Sequence, residues 1–171
     1  MRWDDARMVG FDVETSGTLR EYALQPWRVA QGTAWLTCFA TAQKVEQQIV
    51  FGGGLGVDVP ALRAFLERAV AEKLYVVGWN LTFDIQWLIA YGLRDLVFQV
   101  KWLDGMLLWK HLTVEPEYEL AKHKKKSYGL KACVAEVLPQ FAGYEEDIDF
   151  HSTDPTELAK LNTYCRRDTV F

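Results

Sequence analysis

The sequence has few cysteines, no surplus of positive charge and no long apolar run, and each shortage excludes something. Its 171 residues include three cysteines, Cys38, Cys133 and Cys165. They are odd in number, far apart and never spaced Cys-x-x-Cys, which excludes a disulfide scaffold or a structural zinc knuckle and fits a reducing cytosol. No apolar run approaches the roughly 18 residues that span a bilayer. The start, MRWDDARMVGFD, places two acids before a short apolar stretch, unlike the basic-then-apolar order of a secretory signal. The formal net charge is −4, so the chain as a whole does not carry the basic balance of a protein that grips duplex DNA by charge alone. An acidic total is also what a site built of carboxylates gives when metal ions, not lysines, face a phosphate.

What the chain does have is apolar mass, with 50% hydrophobic and 13% aromatic residues. That is enough for a sizeable core in one domain. Residues 7–13 read as a buried strand, 29–40 as a second and 45–51 as a third. GGGLG at 52–56 reads as a flexible break, because it lacks the Lys-Ser/Thr of a phosphate-binding P-loop. Asp58 and Pro60 open an amphipathic helix over 59–72. Residues 74–79 read as a buried strand, and Asn80 as the cap of a helix that Gly92 stops. A further strand is expected within 97–103, with helices at 104–112 and 128–138. Asp154 and Pro155 open a last helix. Strands alternating with helices predict an α/β fold, a mixed sheet flanked by helices.

Three local patterns carry chemistry. Asp12 and Glu14 lie two apart at the end of an apolar strand, so both side chains leave the same face. Two acids so placed repel each other unless a cation sits between them, and Mg²⁺ or Mn²⁺ suits carboxylate oxygens. Asn80 and Asp84 are one turn apart at the start of a helix. Tyr164 and Asp168 repeat that spacing on the last helix, where a tyrosine can hold a water beside a metal-bound carboxylate. Alone, each pattern also fits a solvated strand end, a capped helix or an amphipathic helix. The basic cluster KHKKK at 122–126 reads equally as a phosphate track or a solvated loop.

Taken in order, FDVETSG, GWNLTFDIQWL and YCRRD resemble the three motifs of the DEDD (DnaQ-like) 3′→5′ exonuclease superfamily. Tyr164 corresponds to the tyrosine subclass; the histidine subclass would need His where this chain has Thr163. LDGMLLWKHL at 103–112 and SYGLKACVAEVL at 127–138 resemble intervening segments of the N-terminal proofreading domain of family A, phage-type DNA polymerases. The resemblance implies a ribonuclease H-like mixed β-sheet flanked by helices. It implies a metal-dependent exodeoxyribonuclease, part of a DNA polymerase, working in the cytoplasm of a bacterial or phage-infected cell. Residues 1–171 would then be the exonuclease domain, with a polymerase domain following in the native chain.

By the same resemblance, Asp12, Glu14, Asp84 and Asp168 would hold two Mg²⁺ or Mn²⁺ ions, with Asp12 bridging them. Tyr164 would orient the attacking water. Thr15, Ser16 and Leu19 would meet the 3′ end of single-stranded DNA. From the sequence itself, Asn80 is a further candidate contact to the nucleic acid, and Lys124, Lys125 and Lys126 are candidates to track its backbone by charge. The alternatives carried by the same motifs are an RNase D-like exoribonuclease and a catalytically silent nucleic-acid-binding scaffold. The segment 115–126 departs from the family pattern.

Overall fold

A computed structural model describes residues 7–113, 128–143 and 148–170. Five strands form one open mixed sheet in the order β3-β2-β1-β4-β5. They are β1 (Met8–Gly17), β2 (Ala34–Val45), β3 (Gln48–Leu55), β4 (Tyr75–Gly78) and β5 (Lys101–Asp104). β1 and β3 each pair antiparallel with β2, whereas β4 runs parallel to both β1 and β5. Among the described residues the α-helices are α1 (Val59–Ala71), α2 (Leu81–Ala90), α3 (Arg94–Val97), α4 (Gly105–Leu112), α5 (Leu130–Val137) and α6 (Pro155–Asp168). Among the described residues, no helix is long and apolar enough to cross a membrane.

β1 is the central strand, and its alternation divides the molecule. Val9, Phe11 and Val13 enter a large core with Leu62, Leu66, Trp87 and Leu88 from α1 and α2. The intervening residues Gly10, Asp12 and Glu14 point to the opposite face, as the period of two requires. There α6 packs across β1, β2 and β3. A smaller cluster, including Cys38, Ala40, Leu161, Tyr164 and Cys165, lies beneath it. β2 keeps pace by a bulge: Glu14 pairs with Cys38 but Thr15 pairs with Leu36, leaving Thr37 as the extra residue. The bulge lets Leu36 and Phe39, three apart, both reach the large core.

Several expected boundaries shift. The stretch expected as the beginning of the second strand, 29–33, is largely helical instead. Two 3₁₀ turns, Arg20–Leu24 and Pro26–Gln31, precede β2. Pro26 opens the second of these, and Gly32 ends it with φ of 66°. The glycines expected to break the chain lie inside β3, with Gly52, Gly53 and Gly54 pairing with Thr41, Ala40 and Phe39. At Gly53, φ is 86° and an added Cβ would stand 2.1 Å from the Phe39 carbonyl oxygen, so only glycine fits this close approach. The helix starts at Asp58 and Asp154 follow expectation, since each carboxylate accepts backbone N–H bonds from its own first turn.

Candidate metal centre

Three stretches of the chain converge at the α6 side of β1. Asp12 and Glu14, both half-buried, stand on that face beyond the point where β4 stops pairing. Asp84 arrives from the first turn of α2 and is 3% exposed. Its Oδ1 accepts the Val13 N–H at 3.1 Å, which continues the ladder beyond β4 and sews α2 onto β1. Asp168 comes from the last turn of α6.

Their charges act on one another. Burial raises the Asp12 carboxyl well above the usual carboxylate range, and Glu14, Asp84 and Asp168 push it further. Burial raises Glu14 likewise, reinforced by Cys38, Asp168 and Asp84, while Lys131 opposes the rise. Asp84 is pushed up to about 7, chiefly by burial and in smaller part by Asp104. Among the described residues, Asp12 Oδ2 is buried without a hydrogen-bond partner. A buried, unpartnered carboxylate oxygen among other acids costs stability unless a cation completes it. Carboxylate oxygens are the donors that hard divalent ions take.

This arrangement has a measurable consequence. Between the usual carboxylate range and the raised values, the folded chain holds protons that the unfolded chain has released. Stability is then fully present below that range and is lost as pH rises through the raised values. For Asp84 the window runs from 3.8 to about 7. In EDTA, the melting temperature should fall as pH rises across that window, and excess Mg²⁺ or Mn²⁺ should recover much of the loss at its upper end. A melting temperature that stays level or rises with pH in EDTA would count against the clustered acids.

Tyr164 packs in the smaller core cluster, with Lys131 Nζ donating to its hydroxyl oxygen and lying 4.3 Å from the ring centre. Phe150 meets the ring edge-on at 5.7 Å. Lys131 thus belongs to the site itself. No spacing rule links positions 131 and 164. Cys38 and Cys165 were also invisible as site members. Their thiols hydrogen-bond to each other, and Cys165 Sγ donates to the Asp12 carbonyl at 3.6 Å. The position of Cys165 between Tyr164 and Asp168 was the available signal; Cys38 needed the β1–β2 register.

The expected DNA contacts are used unevenly. Thr15 Oγ1 donates to the Ala23 carbonyl at 2.6 Å and fixes the first 3₁₀ turn. Ser16 Oγ lies 3.0 Å from His151 Nδ1. Leu19 is 49% exposed at the start of that turn. An open cleft of about 800 Å³ begins at Glu14 and runs past Arg20, Leu24, Phe83, Phe150 and His151.

Asn80 is not the side-chain cap expected of it. It holds the left-handed conformation, with φ of 60°, and makes no capping bond. Asp104 does that work from 24 residues away: its oxygens accept the N–H groups of Asn80 and Leu81 as well as those of Met106 and Leu107. One carboxylate therefore anchors the starts of both α2 and α4. Lys124, Lys125 and Lys126 lie outside the described residues.

Compared with known proteins, the chain matches no protein-family model and no curated protein.

Proposed function

We propose that the chain is a two-metal-ion 3′→5′ exonuclease of the DEDD tyrosine subclass. It hydrolyses the terminal phosphodiester of DNA and releases nucleoside 5′-monophosphates, as the proofreading domain of a family A DNA polymerase. The observation that carries this reading is the meeting of Asp12, Glu14, Asp84 and Asp168, from three separate stretches, at a point where each acid of the β1 pair feels the other two stretches. The sheet, with three antiparallel strands followed by two parallel ones, is compatible with a ribonuclease H-like fold.

Held by those four acids, divalent ions would supply charge stabilisation at the phosphate and a more acidic water. The remaining work falls to the chain's own side chains. Lys131 donates to the Tyr164 oxygen, so the phenol proton turns away from the ammonium, where it can orient a water or a phosphate oxygen. The cleft beside Glu14 offers Phe83 and Phe150 as faces for an unstacked base and Arg20 for a phosphate. Leu19, exposed at the first 3₁₀ turn, provides an apolar edge against the terminal base.

A 5′-labelled single-stranded DNA oligomer incubated with the chain and Mg²⁺ or Mn²⁺ tests this. A ladder shortening from the 3′ end and abolished by EDTA is the expected result. An RNA oligomer in parallel distinguishes an exoribonuclease. No shortening of either oligomer with either metal would refute the catalytic reading and leave a binding scaffold.

A further inference from the structure

A thiol stands among the carboxylates. Asp12, Glu14 and Cys165 each offer one ligand atom, and these three atoms lie within 4.8 Å of one another. Asp12 Oδ2 is buried there and has no hydrogen-bond partner among the described residues. Behind Cys165 lies the Cys38 thiol, hydrogen-bonded to it and set opposite Glu14 by the β1–β2 register. Donors arranged tetrahedrally at about 2.1 Å for oxygen and 2.3 Å for sulfur stand roughly 3.5 Å apart. Closing this set around an ion therefore takes side-chain movements of only about 1 Å.

The chemistry of the set differs from that of the four acids. Mg²⁺ takes oxygen and avoids sulfur, whereas Zn²⁺ and its softer relatives accept thiolate and carboxylate together. We propose that Asp12, Glu14 and Cys165 form a mixed carboxylate–thiolate site for a thiophilic divalent cation of the zinc class. Cys38 acts as a positioning residue, fixing the Cys165 sulfur from behind. On binding, a sulfur–metal bond forms, the thiol proton passes to the buffer, and no electrons change hands. The site shares Asp12 and Glu14 with the proposed nuclease centre. In so far as that reading holds, a soft ion seated here withholds both acids from the hard ions and silences the enzyme.

Cd²⁺ is the probe, added to the full chain without nucleic acid. A thiolate-to-metal absorption band should grow with the first equivalent and vanish in Cys165→Ser. An Asp12→Asn, Glu14→Gln double variant should bind Cd²⁺ at least about 10-fold more weakly. A band that survives Cys165→Ser, no band in the wild type, or unchanged affinity in the double variant would each overturn the proposal. If Cys165→Ser does not fold by circular dichroism, cadmium NMR of the wild type decides. A resonance shifted downfield by sulfur supports the site, and one typical of oxygen ligands alone refutes it. Because this measurement needs no DNA, failure of the thiol site leaves the exonuclease ladder untouched, and an inactive nuclease leaves the Cd²⁺ result intact.

Discussion

Under the proposed exonuclease reading, Asp12→Ala should reduce 3′→5′ turnover by at least about 10³-fold, since a shared metal ligand would contribute several kcal/mol and each 1.36 kcal/mol is tenfold. Asp12 is the acid on which the other three all act. The same variant should melt higher than the wild type in EDTA at neutral pH. Its Oδ2 is buried and, among the described residues, unpartnered, a condition that costs about 1–3 kcal/mol. Removing it also relieves Glu14. In a domain of this size, each kcal/mol moves the melting temperature by roughly 2–4 °C. The added stability from Mg²⁺ or Mn²⁺ should shrink at the same time. Lower activity with higher metal-free stability is the signature of a residue kept for chemistry. A variant that is inactive but also less stable in EDTA would indicate that Asp12 serves the fold.

Gly10→Ala should do the opposite and damage structure first. A Cβ at Gly10 would lie 1.9 Å from the Thr169 carbonyl oxygen. The obstacle is backbone, so no rotamer change relieves it. The end of α6 would have to lift from β1, at a cost of about 2–3 kcal/mol and a fall in melting temperature of roughly 5–10 °C. Since α6 carries Tyr164, Cys165 and Asp168, activity should be lost as well, with no recovery on adding metal. Gly54→Ala is the control, because an added Cβ there meets nothing within 4 Å. Gly10→Ala melting with the wild type would show that α6 does not sit where the structure places it.

The sequence disclosed most where the rule is local. Asp12 and Glu14 share a face because strand side chains alternate, and Asp58 and Asp154 cap the helices immediately after them. It disclosed less where the partner is remote. GGG looked like a break because its strand character depends on the ladder with β2. Asn80 looked like a cap because the true one, Asp104, enters through β5. The apolar stretch leading into β2 suggested more strand than there is, and Pro26 and Gly32 shorten it. Lys131 and Cys38 joined the site only through packing between elements that no spacing connects.

The alternation along β1 also bears on how such a chain can change over time. The larger of the two described core clusters lies on one side of the sheet, and Asp12, Glu14 and Asp168 lie on the other. Substitutions that erase Asp12 or Glu14 remove side chains from the face opposite Phe11, Leu66 and Trp87. A lineage built this way is free to abandon whatever chemistry Asp12 and Glu14 perform while it goes on folding, and to acquire new chemistry on the same wall without first rebuilding what stands behind it. For this architecture, shape is a poor witness to activity, and the acids themselves have to be tested.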